Sequence, residues 1–435
     1  MTALALMLAT VARVPIDERD RFAANIVAAA TRYSASALGP ILVSAAHFIA
    51  ALIFLHTLPR WAFGQFSFVL VAVPFAMSMC GAMFGAPVAR AIRAGGISDA
   101  DTLTFLKANA TFSALAGLVI AGLMAATGAR VGLAAVFGAY GAAMTLRWFA
   151  RSYAYANGWP YRTLWSDVVY SLLVVGGLGA LLALHLLWVR TGSAMLLASA
   201  VAAFATFGTT YVRNLLKSIF TGRLAAYLTT WRELSRWSLA GVLMSEMTMN
   251  AHAYLVTFIC GPKAFAVLAL GSLLMRPVSL VLAALPDVER PLMARKIAAG
   301  GPAAAFRIVK EFRTAAGAIW LATVLLSIGL LKWFPHLIVK NGYEANEVFV
   351  VAAIAAAVMA VRCLRTPESV LMQAAGEFRK LAGAGVWAAA ASLIATLVLL
   401  IAVGPIAAMG GILIGELIVM GRVLVLVKAW RAQYE

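Results

Sequence analysis

The sequence predicts an all-α integral membrane protein of about twelve transmembrane helices in two six-helix halves, with the N and C termini cytoplasmic. Three observations predict it. First, 63% of the 435 residues are hydrophobic and 12% charged, against roughly 45–50% and 25% in soluble domains, and mean hydropathy is +0.92. That excess has to face lipid, which excludes an ordinary soluble enzyme. Second, the apolar residues form long continuous runs rather than alternating pieces of about 10 residues, which excludes a transmembrane β-barrel. Third, Lys and Arg fall almost entirely on alternate sides of those runs.

A transmembrane helix needs about 20 apolar residues. In the first half such runs lie at about 34–56, 66–89, 110–127, 131–149, 167–188 and 193–212. After a polar stretch at 213–236 come runs at about 237–260, 264–286, 314–331, 346–364, 383–403 and 407–427. Gly128-Ala129-Arg130 separates the third run from the fourth, and 365–380 partly extends the tenth. The chain then divides into a cytoplasmic and interfacial segment 1–33, a half 34–212, a cytoplasmic linker 213–236 and a half 237–435. Leu4 to Val14 is apolar but only about 11 residues long and lacks a basic flank, so it is neither signal peptide nor span. Residues 21–33, with Arg21, Phe22, Ile26 and Arg32, read as an interfacial helix. The stretch Pro286 to Arg313, with Phe306, Ile308 and Phe312 among basic residues, is either a surface-lying amphipathic segment or a solvated linker.

Counted by alternate sides, 29 Lys and Arg lie with the termini and 6 (Arg60, Arg130, Arg190, Lys263, Lys332 and Lys340) on the other side. This is the positive-inside pattern. The net charge of +18 is therefore topology, and no nucleic-acid partner is expected; membrane lipids are. Cys80, Cys260 and Cys363 stand singly in apolar runs and read as buried small hydrophobes, with no disulfide framework or metal site. No Gly-Lys-Ser/Thr loop, His-Glu-x-x-His or Cys-x-x-Cys occurs, so neither catalytic residues nor a cofactor are expected. Gly271, Gly383 and Gly385 read as sites of close helix packing.

At an offset of about 202, Gly39 falls on Gly241, Ala62 on Ala264 and Phe63 on Phe265; with one residue of drift Pro74 falls on Pro277, and with two Pro87 falls on Pro291. Six helices per half leave both halves in the same orientation, a parallel repeat about the membrane normal of the kind transporters use.

The stretch Leu58-Pro59-Arg60-Trp61-Ala62-Phe63-Gly64-Gln65-Phe66 resembles the junction of the first two helices in bacterial polysaccharide flippases. Gly261-Pro262-Lys263-Ala264-Phe265-Ala266 is similar to their second-half counterpart, and Pro286, Pro291 and Arg295 to the end of their eighth helix. The family is the polysaccharide and O-antigen flippase branch of the multidrug/oligosaccharidyl-lipid/polysaccharide (MOP) exporter superfamily. The resemblance covers nearly the whole chain by topology and about 30 residues by motif. It departs at Ala266, where the repeat prefers Gly, and at His252, where many relatives carry an acid. The resemblance implies export of a polyprenyl-pyrophosphate-linked oligosaccharide across the bacterial inner membrane by alternating access, with no enzymatic activity. The partners it implies are that lipid-linked oligosaccharide, a polysaccharide polymerase and glycosyltransferases.

Such cargo needs a polar, cationic cleft in an apolar shell, and ionisable residues at membrane depth cost roughly 2.5–3.5 kcal/mol each on insertion scales. Arg276, beside the helix-breaking Pro277, is the first candidate. Glu246, counted from the turn at 261–262, lies at similar depth (about 15 residues back against about 14 forward, at 1.5 Å each). Either the two form a structural pair, or Arg276 meets the cargo and Glu246 modulates it. His47 and His252 lie on repeat-partner helices flanking the expected cleft, in structural, cargo or proton-relay roles. Arg147, Arg213, Arg362 and Arg365 lie near the cytoplasmic ends, where they snorkel or capture pyrophosphate. Glu416, midway in the last span, either has a structural partner or couples to an ion, with His252 the other coupling candidate. Two other readings remain. A cation-coupled drug or small-solute exporter would favour a mid-membrane Asp in the first half, and Asp167 is expected only at a span boundary. A membrane polysaccharide polymerase would need a large external loop, and these are short.

Overall fold

The computed structural model describes residues 38–93, 96–338 and 343–433. The expectations for 1–33 lie outside the described residues. Among the described residues the chain is helices joined by short turns. Helix α1 runs Leu38–Thr57, α2 Arg60–Ile92, α3 Asp99–Ala126, α4 Val131–Ala156 and α5 Pro160–Ala183. The first half ends with α6, Val189–Ala205, bent by 101° into α7, Thr209–Thr221. A short α8, Leu224–Thr230, and a π-turn lead into α9, Arg236–Ile259. Then come α10, Pro262–Leu273, α11, Arg276–Trp333, α12, Ala345–Ala374, α13, Phe378–Ala402, and α14, Met409–Arg431.

Among the described residues nine helices are long and apolar enough to cross a membrane, and the bent pairs α6–α7 and α10–α11 bring the number to eleven. Helix α9, 24 residues long, falls outside that count; taken as a crossing, it would make the expected twelve. Glu246, Asn250, His252 and Tyr254 lower its hydropathy, and each faces a partner or the cavity described below. Twelve crossings, as the sequence predicts, would leave both ends on one face. Alkaline phosphatase fused after Glu435 is expected to be inactive; high activity would require an odd number of crossings.

Several helices start earlier than their apolar runs, because polar first turns are caps rather than loops. The Ser98 hydroxyl accepts from the Asp101 amide at 3.1 Å, and Asp99 and Asp101 occupy the first turn of α3, where acids complement the positive end of the helix dipole. Pro160 sits in the first turn of α5, where its missing N–H costs nothing. The polar stretch 213–236 is also largely helical. The stretch Pro286 to Arg313 is helical rather than a loose linker: helical hydrogen bonding continues from Arg276 to Trp333, 58 residues. The chain reverses within it: near its start Ser279 meets Met359 of α12, while near its end Trp320 Nε1 donates to the Ala356 carbonyl at 2.8 Å and Arg313 pairs with Glu368, antiparallel to α12. The stretch contains Pro286, Pro291, Gly300, Gly301 and Pro302, the residue types at which helices bend. Ile308 and Phe312 are buried.

The turns at 58–59, 127–130 and 260–261 meet at one end, the hairpin end: Gln65 Nε2 donates to the Thr127 carbonyl at 3.2 Å and Arg60 Nε to the Lys263 carbonyl at 3.2 Å. The other end is the basic end. Helices α3 to α6 pack chiefly on one another, as do α9 and α11 to α14, while α2 packs on α9 and α10. At the centre, Phe68 meets Tyr254, Phe258 and Phe265 edge-on, with centroids 5.5, 5.6 and 6.5 Å away. Toward the basic end α2 carries a π-turn, Gly81–Gly85. There the Met83 carbonyl accepts from the Tyr227 and Ser235 hydroxyls at 2.6 and 2.7 Å, tying α2 to the connection between the halves.

Cys80 and Cys363 are buried as expected, but Cys260, at the hairpin turn after α9, is exposed. Gly271 does allow close packing, since a Cβ there would overlap Val351 and press on Ala352. Gly383 and Gly385 do not: a Cβ at either would meet nothing within 4 Å.

Candidate functional site

Each half holds a buried acid gripped by two arginines about one turn apart. In the first half Arg147 and Arg151 of α4 both reach Asp167 of α5, Arg151 Nη1 at 2.6 Å, and the carboxylate has no exposure. Arg147 Nε also donates to Ser166 Oγ at 2.9 Å, and its guanidinium lies over the Tyr170 ring at 4.7 Å. Beside this cluster His47 Nε2 and the Tyr140 and Tyr170 hydroxyls form a triangle of 2.7, 2.8 and 3.3 Å sides. Gly39 closes it from α1: a Cβ there would overlap the Asp167 carboxylate. Asp167 is therefore not at a span boundary. It is the eighth residue of α5, deep in the half, because the helix starts at Pro160 rather than at about 167.

In the second half Glu416 of α14, fully buried, accepts from Arg362 Nε at 2.8 Å and Arg365 Nε at 2.6 Å, both of α12. The arginine pairs come from α4 and α12, the fourth crossing of each half. Each cluster carries two cations and one anion, so each retains one surplus positive charge.

Between the halves lies a cavity of about 320 Å³. Ala51 of α1 and Phe63, Ser67, Leu70 and Val71 of α2 line one side. The other side is Asn250 and His252 of α9, Phe265 and Ser272 of α10, Arg276 and Ser279 of α11, Arg362 of α12 and Met409 of α14. A second cavity, of about 380 Å³, shares Met249, Ser279 and Arg362 with it and adds Arg290 and Arg365. Together the two cavities are lined by four arginines, all from the second half.

Arg276 is the first residue of α11, where the eighth crossing bends by 67°. The expected Glu246–Arg276 pair is absent. The Glu246 carboxylate is held instead by its own helix, accepting from Asn250 Nδ2 at 3.0 Å and from the Tyr254 hydroxyl at 3.0 Å. Among the described residues Arg276 makes no ion pair; half-buried, it faces the cavity. His252 is buried against Phe265, ring centroids 6.3 Å apart, and its Nδ1 has no hydrogen-bond partner among the described residues.

Of the residues singled out from the sequence, the structure brings Arg276, His252 and Arg362 together at the first cavity, with Arg365 at the second. His47 and Arg147 hydrogen-bond within the first half and line neither cavity. Arg213 is exposed on α7 and joins neither cavity lining. Sequence reasoning misses Arg151, Tyr140, Tyr170, Asn250, Tyr254 and Arg290. The 147/151 spacing, i and i+4 on an apolar helix, is the signal that points to a shared acid.

No family model matches the sequence, and no curated protein matches it. Solved structures do match in fold. An inward-facing multidrug resistance MATE family transporter of the MOP superfamily is 15% identical, with 91% of this chain and 98% of that chain covered and a TM-score of 0.66. A MOP superfamily transporter from Pyrococcus furiosus is 15% identical, with coverage of 93% and 94% and a TM-score of 0.61. The lipid II flippase MurJ in an inward closed conformation is 13% identical, with coverage of 89% and 87% and a TM-score of 0.60. This chain is a multi-pass membrane protein, all-helical among the described residues. It shares the fold of MOP-superfamily transporters over almost its full length.

Proposed function

We propose that this chain is a flippase that exports a polyprenyl-pyrophosphate-linked oligosaccharide across the bacterial inner membrane by alternating access of residues 1–220 against 230–435. In this reading glycosyltransferases supply the cargo and a polysaccharide polymerase consumes it. The observation that carries the reading is Arg276: a guanidinium at a helix break, facing the inter-half cavity, with no acid among the described residues to neutralise it. A desolvated cation needs an anionic counterpart, and a pyrophosphate is one that arrives with the cargo. Arg290, Arg362 and Arg365 line the way in, and guanidinium forks suit phosphate oxygens better than ammonium groups do. The MOP fold, shared with MATE transporters and MurJ, supports a transporter without choosing the cargo.

A second reading, a cation-coupled exporter of drugs or small solutes, draws on Asp167, an acid deep in the first half. Two arginines already neutralise that carboxylate, which leaves it no net charge for a cation. We favour the flippase.

Export is measured as surface glycan per inserted protein, with drug tolerance followed in parallel. Arg276→Ala is expected to cut export at least about tenfold, since a hydrogen bond to a charged group contributes about 1.5–3 kcal/mol. Arg276→Lys is expected to keep protein levels yet lose most export. Glu246→Ala/Arg276→Ala should behave as Arg276→Ala alone, because the two side chains do not meet. Normal glycan in Arg276→Ala overturns the reading; lost drug tolerance with normal glycan favours the second.

A further inference from the structure

We propose that the groove between the basic ends of α13 and α14 binds an anionic phospholipid of the surrounding bilayer. Its headgroup phosphate lies on Arg422 and Lys380, and its acyl chains run along the two helices toward the hairpin end. The groove encloses about 500 Å³ and is lined by Lys380, Gly383, Trp387, Gly421, Arg422 and Val425, none shared with the cavity between the halves. It opens outward: Trp387 is 62% and Val425 66% exposed. The gap exists because side chains are missing, since a Cβ at Gly383 or Gly421 would meet nothing within 4 Å. Toward the hairpin end the same face of α13 continues in exposed Ile394, Val398 and Ile401.

The headgroup class follows from charge. Arg422 stacks on the Trp387 ring at 5.6 Å and has no carboxylate among the described residues; Glu416, on its own helix, is taken by Arg362 and Arg365. Lys380 pairs with Glu377 at 3.0 Å, a partly exposed i, i+3 contact of small worth, which leaves the ammonium able to reach a phosphate. Two cations and an indole above an open apolar face match a phosphodiester headgroup above acyl chains. A free anion would have no use for that face, and a zwitterionic lipid would bring a choline against Arg422.

Native mass spectrometry of the purified full chain, titrated with phosphatidylglycerol or phosphatidylcholine, tests the site. Phosphatidylglycerol is expected to be retained in preference to phosphatidylcholine. Arg422→Gln should weaken retention about fivefold, the equivalent of about 1 kcal/mol per cation at the membrane surface. Gly421→Leu, which adds bulk in the groove at a position where a Cβ meets nothing within 4 Å, should abolish it at an unchanged melting midpoint. Inorganic phosphate at tens of millimolar should not displace the lipid. Equal retention of the two lipids, wild-type retention by both variants, or displacement by inorganic phosphate would each overturn the proposal.

Discussion

Asp167→Asn is expected to destabilise the protein by about 3–5 kcal/mol, the range for removing one partner of a buried ion pair. The carboxylate has no exposure, and Arg147 and Arg151 both depend on it. With Asn in its place two guanidinium groups remain in the interior with no anion. The expected readout is a fall of the melting midpoint on the order of 10 °C in fluorescence-detected size-exclusion heating curves. Arg151→Met should cost much less, because it leaves Arg147 and Asp167 as a balanced pair. Asp167→Glu should not rescue: Gly39 already stands against the carboxylate, so a longer acid has nowhere to go. An unchanged midpoint in Asp167→Asn would show that the cluster does not hold α4 to α5. The same logic applies to Glu416, with one difference. Arg362 lines the inter-half cavity, so Glu416→Gln would free a second cation there as well as destabilise α12 and α14.

The fold class is legible in the sequence because run length and hydropathy are properties of the chain alone, and lipid leaves few ways to satisfy a backbone. Helix ends are not legible in the same way. Ser98, Asp99, Asp101 and Pro160 lower local hydropathy and read as loop, yet they are the capping chemistry of α3 and α5. That shift of several residues is what misplaces Asp167 at a boundary. Side-chain pairing is harder still. Glu246 and Arg276 share a depth, but depth is one coordinate and rotation about the helix axis another. Asn250 and Tyr254, at i+4 and i+8 on the same helix, meet the Glu246 carboxylate first. The reversal inside α11 is illegible for a different reason: prolines and glycines that ordinarily end helices here lie within one that continues. Arg276, His252, Arg362 and Arg365 stand out because a charge or an imidazole in an apolar run is conspicuous wherever it points. Arg213 stands out by the same rule, and it lies exposed on α7.

Gly64→Leu is expected to abolish closure of the hairpin end and, with it, at least about tenfold of transport, while protein levels stay normal. Gly64 is on the first turns of α2 and faces the backbone of Pro262, the first residue of α10; any Cβ there would overlap the Pro262 carbonyl. That neighbour is backbone held by a proline ring, so it cannot rotate aside as a side chain would. Around the contact Arg60 reaches the Lys263 carbonyl at 3.2 Å and the Glu347 carboxylate at 3.4 Å, and lies over the Tyr343 ring at 5.0 Å. The halves therefore meet here through a glycine and are latched by one arginine. A transporter that alternates must both make and break this contact, and moving such an equilibrium from 99:1 to 1:99 takes about 5.5 kcal/mol, which a carbon overlapping a fixed carbonyl readily exceeds. Leu is a better helix former than Gly, so the defect should fall on closure and not on folding. Trapping with a short bis-maleimide between Trp61→Cys and Lys263→Cys, both exposed, with Arg60 kept and in a background without Cys80, Cys260 and Cys363, reads closure directly. Trapping should be efficient when Gly64 is kept and lost when Gly64→Leu is added. Gly122→Leu on α3, where a Cβ meets nothing within 4 Å, controls for lengthening a helical glycine. Full trapping and full transport in Gly64→Leu would mean that the two halves do not need to approach this closely.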